Sequence, residues 1–218
     1  MITSDVMTRV KRQFGDESGV QVIDADIIRW INDGQRHIVT QNEGLLEKSA
    51  YTNTVALQQD YSLPIDLLIL RSIHLKDQPS ASYFSIKYHT FNEFDQIVDG
   101  WDQTASDRGY PTIYTIYAGI IKLFPLPEIS QTNGLKIYYN RVPVDVVDST
   151  SALDVPLLYH EPLVKYCLQQ AYEMDEDFDK SQAKAAEMNA DLSLLRGRDD
   201  WKKQDLYPTI TILAEDWI

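Results

Sequence analysis

The chain has 218 residues, of which 44% are hydrophobic and 24% are charged, and this composition excludes a disordered or fibrous protein. Its 20 Lys and Arg against 33 Asp and Glu give a formal charge of −13. That charge argues against a protein that holds nucleic acid by neutralising phosphates. The single cysteine, Cys167, excludes an internal disulfide and any multi-cysteine metal centre.

The start of the chain and its apolar runs predict neither a signal peptide nor a membrane span. Met1 is followed by Ile-Thr-Ser-Asp, without a basic region that leads into an apolar stretch. The densest apolar run, Leu67 to Leu70, is far shorter than the ~20 residues that a span needs. We therefore expect a soluble protein that is assembled in the cytoplasm and has no membrane partner.

Two amphipathic helices are predicted near the N-terminus. Thr3 or Ser4 can cap the first, and its apolar face carries Met7, Val10 and Phe14 at three- and four-residue spacing. Gly15 and Gly19 interrupt the pattern between the two helices.

Asp24 can cap the second helix, and Gly34 in its middle predicts close packing against a neighbour. The buried side of this helix is predicted to consist of Ile27, Ile28, Ile31, Ile38 and Val39.

The central part of the chain, residues 51–142, has the alternation and the aromatic and β-branched content of strands. The strongest signal is a hairpin at residues 112–124, which turns at Ala118-Gly119. Pro125 and Pro127 are expected to end it, because proline cannot donate to a sheet ladder.

Three further elements are predicted around this hairpin. Residues 83–88 form a short strand, and residues 91–98 form a short helix on which Phe91, Phe94 and Val98 share a face. Asn133-Gly134 is predicted to be a turn that precedes a last strand at residues 137–139.

The last third of the sequence is helical again. An amphipathic helix is predicted for residues 156–172, with Pro156 in its first turn. After an acidic segment at residues 173–179, a second helix is expected to end at Gly197. Its packed face is predicted to carry Phe178, Ser181, Ala185, Met188, Leu192 and Leu195.

These elements predict an α+β fold: an antiparallel bundle of the N- and C-terminal helices, with an inserted antiparallel β-sheet module that projects from one end. The predicted segments are residues 1–48 and 151–200 for the helical bundle and 49–150 for the β-rich module. Residues 201–218 are predicted to be an extended C-terminal tail.

Motifs of catalysis and metal binding are almost absent from the sequence. It has no nucleophile elbow, no phosphate-binding glycine loop and no His-Glu-x-x-His motif. His160 and Cys167 could place two metal ligands on one helix face, but a buried structural cysteine is the favoured interpretation. Glu173 and Asp177 could form a glycosidase pair, whereas a solvated helix junction explains the acidic segment better.

The aromatic residues carry more information, because 13 Tyr and 4 Trp are concentrated in the β-rich region and near the C-terminus. Tyrosine packs sheets and is also enriched at protein interfaces. Apolar residues in a free terminus are costly to leave in water, so we predict that the tail binds a partner. The predicted binding residues are Trp201, Tyr207, Ile210, Ile212, Leu213, Trp217 and Ile218.

Several short motifs, taken in order, resemble the head-to-tail connector adaptors of tailed bacteriophages, also called head-completion or neck proteins. The motifs are ADIIRWINDGQR at residues 25–36, YSLP at 61–64, GYP at 109–111, IKLFP at 121–125 and LKIYY at 135–139. The helix at residues 161–172, the acidic break and the long helix to Gly197 complete the order. The resemblance covers residues 3 to about 200.

This resemblance implies a structural virion protein without catalysis, cofactor or metal. It implies a ring of twelve copies in the neck between capsid and tail. The ring would bind the portal protein on one side and a downstream tail or nozzle component on the other, with DNA passing through its channel. In such proteins the C-terminal segment clasps the portal, which agrees with the tail predicted above.

Two alternative functions remain open at this stage. The chain could be a virion hydrolase that degrades peptidoglycan, which needs a carboxylic acid of raised pKa close to a second carboxylate. It could also be a tail-tube or fibre-attachment protein, which would polymerise or trimerise by itself. For the adaptor, mutual repulsion of copies at −13 predicts a monomer that oligomerises on the portal.

Overall fold

The computed structural model describes residues 2–42, 44–77, 82–98 and 107–203. In these ranges the helices are α1 (Thr3–Phe14), α2 (Asp24–Gln41), α3 (Phe91–Ile97), α4 (His160–Met174) and α5 (Phe178–Lys203). The strands are β1 (Glu47–Thr54), β2 (Asp60–Ser62), β3 (Leu67–Lys76), β4 (Tyr83–Ser85), β5 (Lys87–Tyr88), β6 (Arg108–Gly109), β7 (Ile113–Tyr117), β8 (Ile120–Phe124), β9 (Leu126–Pro127) and β10 (Gln131–Arg141). The chain is therefore α+β, as its sequence predicts.

The chain divides into two compact units, which are described separately below. The helical unit consists of Met1–Gly44 and Pro143–Ile218, and the β unit consists of Leu45–Val142. Within the helical unit, α4 packs against α1, α2 and α5. None of the described helices is long and apolar enough to cross a membrane.

Neither Thr3 nor Ser4 caps helix α1, because both residues already lie inside the helix. The predicted cap is therefore wrong. Ile2 occupies the cap position, and its N–H donates to Asp5 Oδ2 at 3.0 Å. Thr3 is buried inside the helix, and its hydroxyl donates to the Ser151 carbonyl at 2.8 Å. The bridge between Ile2 and Ala152 sets this start, because it pairs the chain ahead of the helix with a distant segment.

Asp16 organises the loop between α1 and α2. Its carboxylate accepts hydrogen bonds from the N–H groups of Val20, Gln21 and Val22 and from the Ser18 hydroxyl. These donors, the Val22 N–H foremost and the Ser18 hydroxyl next, hold the pKa of Asp16 well below its ordinary value. Ionised Asp16 therefore stabilises the folded state.

Replacing Asp16 by Asn is expected to reduce stability at neutral pH and to flatten the acid side of the stability profile. Because the folded-state pKa of Asp16 lies below its unfolded value of 3.8, its contribution is complete above about pH 5. It is lost as pH falls below 4 towards the folded-state pKa. Urea unfolding of D16N and wild type across pH 2–7 measures the difference, with Glu17→Gln as the matched control at a neighbouring exposed carboxylate. If the difference in unfolding free energy between D16N and wild type stayed constant from pH 2 to 7, the prediction would be wrong.

Helix α2 also begins beside its predicted cap: Ile23 is the cap residue, and Asp24 lies in the first turn, where it accepts a hydrogen bond from Lys11 Nζ at 2.5 Å. A carboxylate in the first turn is favoured by the helix dipole, which explains the acidic residue at this position without a capping role. Most of the predicted apolar face is buried, namely Ile27, Ile31, Ile38 and Val39, and Ile28 is half-buried.

Gly34 lies where α2 meets α4, as the sequence predicts. A Cβ atom at this position would lie 2.6 Å from Leu163 Cδ1 and 2.9 Å from Tyr166 Cδ1. Both distances are below van der Waals contact, so a larger residue cannot enter without displacing α4 side chains. The glycine therefore sets how closely the two helices approach.

The C-terminal helices partly follow the predicted pattern. A 3₁₀ turn at Leu157–Tyr159 precedes α4, whose predicted apolar rows are fully buried: Leu163, Val164, Cys167, Leu168 and Ala171. On α5, Ser181, Met188 and Leu192 are buried, but Phe178 is 61% exposed, so its predicted place on the packed face is wrong. It lies at the first residue of α5, at the end of the packed row.

Gly197 does not end α5, because the helix continues to Lys203. A glycine inside a helix costs about 1 kcal/mol relative to alanine, which the flanking helix-forming residues can offset. The predicted helix end is therefore wrong, and the predicted tail segment begins within α5.

The described residues of the β unit form two four-stranded sheets and one short strand pair. One sheet has the order β1-β10-β3-β4 and is antiparallel, and the other has the order β2-β8-β7-β5, in which β5 and β7 run parallel. A shared core consists of Tyr61, Ile73, Leu75, Ile86, Tyr114, Ile121, Leu123, Leu135, Ile137 and Tyr139. The predicted β7–β8 hairpin is confirmed, with positive φ at both Ala118 and Gly119, as a tight hairpin turn requires.

One of the two predictions about breaks in the strands is wrong. Asn133-Gly134 is not a turn before a strand but an irregularity within β10, where the pairing register with β1 shifts between Thr52 and Thr54. Asn133 takes a positive φ of 55° there, and a Cβ on Gly134 would clash with the Thr54 side chain. The hairpin itself ends at Phe124, before Pro125, as predicted, and Pro127 lies in the separate strand β9, which pairs with β6.

Candidate functional site

The predicted tail residues lie almost entirely outside the described part of the chain. Trp201 belongs to α5 through its backbone. The remaining predicted binding residues, Tyr207, Ile210, Ile212, Leu213, Trp217 and Ile218, lie outside the described residues. Their grouping as a binding segment therefore remains a prediction.

The predicted glycosidase pair consists of two carboxylates with other structural partners. Glu173 accepts hydrogen bonds from Gln169, Gln170 and the Ser181 hydroxyl. Asp177 accepts from the Lys180 N–H at 3.2 Å and pairs with its ammonium at 2.7 Å. Lys180 lowers the pKa of Asp177, which is the opposite of what a catalytic acid needs.

His160 and Cys167 have the environment of core residues. His160 Nε2 donates to the Val155 carbonyl at 3.0 Å, and burial lowers the pKa of the ring. Cys167 is fully buried, and burial raises the pKa of its thiol, which disfavours the thiolate that binds metals. The described residues contain no group of three or more His, Cys, Asp or Glu that could hold a metal ion.

The acidic turn, defined here as residues 175–179, joins α4 to α5. Asp175 ends α4, and Glu176 has a positive φ of 62°. The Asp177 N–H donates to the Tyr172 carbonyl at 3.0 Å, which closes the turn. Asp175, Glu176, Phe178 and Asp179 are exposed, so the turn presents three carboxylates and one aromatic ring to solvent.

The sheet β1-β10-β3-β4 carries a cluster of aromatic and basic side chains around Lys136. The Lys136 Nζ lies 4.5 Å from the ring centroid of Tyr138, 5.4 Å from that of Tyr51 and 5.7 Å from that of Tyr83. Hydrogen bonds to Tyr138 and Tyr51 raise the pKa of Lys136. The ammonium is therefore held cationic over three rings, in the geometry of a cation–π interaction.

A cleft of about 360 Å³ continues this cluster along the sheet. It is lined by Glu47, Lys48, Arg71, Ser72, His74, Tyr138 and Tyr139. The Arg71 Nε donates to Asn140 Oδ1 at 2.7 Å, and the Lys48 Nζ lies 2.7 Å from Asp66 Oδ2. The ring of His74 lies edge-on to Tyr138, with centroids 4.9 Å apart. We call the Lys136 cluster and this cleft together the cationic–aromatic face.

Comparison with protein-family models gives one decisive finding: the model described as SU10 adaptor protein matches residues 1–209. The chain belongs to the SU10 adaptor protein family. It is thus a phage structural adaptor, a virion component that interacts with other phage head or tail proteins, and membership in this family favours a non-enzymatic role. No curated protein matches the chain.

The charge of this adaptor is unevenly distributed between its two units. The helical unit carries 12 Lys and Arg against 23 Asp and Glu, a formal charge of −11. The β unit carries 8 against 10, a formal charge of −2. The repulsive charge of the adaptor therefore belongs mainly to the helical unit.

Sequence reasoning did not find the cationic–aromatic face of the adaptor. A signal was present, because Lys136 and Tyr138 alternate with the buried Leu135, Ile137 and Tyr139 along β10. The partners Tyr51 and Tyr83 come from strands distant in sequence, and their approach depends on strand order. Only the pairing of β10 with β1, and of β3 with β4, brings them to Lys136.

Proposed function

We propose that this adaptor forms a ring, of twelve copies, that joins the portal to the next tail or nozzle component and lines the DNA channel. The observation that carries the proposal is the family match, which spans residues 1–209. Such a ring belongs in the neck of the virion, between capsid and tail, and its subunits would be made in the host cytoplasm.

Within this proposal, the helices of residues 1–48 and 151–200 form an antiparallel bundle that carries the β-rich module of residues 49–150. The C-terminal segment, residues 201–218, is the portal anchor. It is rich in apolar residues that favour burial against a partner, and the family match includes its first part, with Trp201 and Tyr207. Fully extended, residues 204–218 would span roughly 50 Å, enough to reach a neighbouring protein.

The charge of the protein suits a channel that DNA passes without being bound. Carboxylates that face the lumen would repel DNA phosphates and keep the duplex mobile. A formal charge of −13 for each copy supplies such carboxylates in excess. Repulsion between copies also favours a monomer until the portal brings the subunits together.

Native mass spectrometry of the full chain, alone and mixed with the portal protein of the same phage, tests the proposal. We expect a monomer alone and a defined ring, with one stoichiometry, on the portal. A stable polymer or trimer that the chain alone forms at the dilute concentrations of native mass spectrometry would instead support a tail-tube or fibre-attachment protein. A monomer that ignores the portal and clears peptidoglycan in a zymogram would support the hydrolase. Either outcome would overturn the adaptor-ring proposal.

A further inference from the structure

We propose that the cationic–aromatic face of one copy binds the acidic turn of a neighbouring copy. The inference rests on the proposed ring, since it names the surfaces through which adjacent subunits meet. It is tested in solution without the portal, so its failure can be distinguished from failure of the ring proposal.

The cationic–aromatic face has a positive group that suits a carboxylate ligand. Among the described residues, no carboxylate lies within ion-pair distance of Lys136, which contacts tyrosine rings instead. The rings of Tyr51 and Tyr83, 6.0 Å apart, flank it. Tyr51 is 50% exposed, so the cluster is open to an incoming side chain. Tyrosine beside a cation is a composition typical of protein interfaces.

The adjoining cleft places further basic side chains beside the Lys136 cluster. Lys48 and Arg71 line the cleft together with His74, whereas Glu47 lines it as the opposing charge. Asp66 pairs with Lys48 and accepts a hydrogen bond from the Tyr139 hydroxyl at 2.7 Å. Lys136 is therefore the cation through which the face attracts a carboxylate, within a protein of −13.

The acidic turn is a segment of the described chain that complements this face in charge and in apolar character. Its exposed carboxylates, Asp175, Glu176 and Asp179, can pair with the cations of the face. Phe178, 61% exposed, can pack on the tyrosine rings. Met174, 46% exposed and next to the turn, adds an apolar contact.

The charge distribution disfavours contact between two helical units. The turn belongs to the helical unit, at −11, and the face belongs to the β unit, at −2, so two helical units repel each other more strongly than a helical unit repels a β unit. A contact between two different surfaces is heterologous, and its repetition generates a ring when the rotation closes. The inferred contact is therefore of the type that a ring requires.

A charge exchange between two full-length variants tests the pairing. Lys136→Glu changes the face, and Asp175→Lys with Glu176→Lys changes the turn. We expect weak wild-type self-association at millimolar concentration and physiological ionic strength, where salt screens the long-range repulsion between copies more than it screens a close ion pair. Sedimentation equilibrium measures it, and each variant alone should associate at least about tenfold more weakly. An equimolar mixture of the two variants should recover association, because the exchanged charges attract.

Matched controls carry the same charge changes elsewhere: Lys87→Glu on β5, and Glu17→Lys with Glu128→Lys, all at exposed positions. Neither control should weaken association, and thermal unfolding should show that every variant is folded. The proposal would be overturned if wild type does not self-associate under these conditions, or if Lys136→Glu has no more effect than Lys87→Glu. It would also be overturned if the mixture fails to recover, or if a short DNA duplex displaces the neighbouring copy from the face.

Discussion

Removal of residues 204–218 is expected to weaken portal binding by at least about a hundredfold while leaving the stability of the remaining chain unchanged. The described core residues of the helical unit all precede residue 197, so the deletion removes none of them. It does remove six of the seven residues predicted to bind: Tyr207, Ile210, Ile212, Leu213, Trp217 and Ile218. Portal affinity by surface plasmon resonance and the urea unfolding midpoint measure the two effects.

Paired substitutions separate a specific anchor from a general effect of the tail. If the tail binds as an extended strand, alternate side chains face the partner. Ile210→Ala with Ile212→Ala should then cost most of the affinity, whereas Thr209→Ala with Thr211→Ala, on the opposite side, should cost little. A chain truncated after Lys203 that binds the portal normally would show that the tail is not the anchor.

Replacement of Gly34 by Val is expected to destabilise the protein by about 3 kcal/mol. Even a single Cβ at this position would lie 2.6 Å from Leu163 Cδ1, and valine adds two further methyl groups. Leu163 is fully buried, so it cannot move aside without disturbing the packing of α4. Urea unfolding of the variant and wild type measures the loss.

The control for this substitution is Ala25→Val, at an exposed position of the same helix, which should cost only the helix propensity of valine, about 0.5 kcal/mol. A second variant, Leu163→Ala, makes room beside position 34 and should itself cost about 3 kcal/mol. Combined with Gly34→Val, it should cost at least about 1 kcal/mol less than the two single losses together. Additive losses would mean that Gly34 does not limit the approach of α4.

Local patterns in the sequence predicted most elements because their cause is itself local. The spacing of Leu163, Cys167 and Ala171 indicates one buried helix face, and burial of all three confirms it. The Ala118-Gly119 turn is equally local, since its positive φ angles depend on two adjacent residues.

The errors arose where a distant segment decides a local conformation. The start of α1 depends on the bridge between Ile2 and Ala152. Asn133 adopts a positive φ inside β10 because β1 pairs with it across a register shift, whereas the same residue types alone indicate a turn. Gly197 remains helical, although glycine at such a position commonly follows a helix end.

By itself, the sequence determined the α+β class, the net charge and the lack of common catalytic motifs. It also determined the resemblance to phage adaptors, and the family match confirms this resemblance. These properties depend on composition, on short-range periodicity and on motif order. Only the tertiary structure decided that Tyr51, Tyr83 and Lys136 form one surface. The physical reason is that strand order and register, which join residues more than fifty positions apart, follow from packing of the whole sheet rather than from any local pattern.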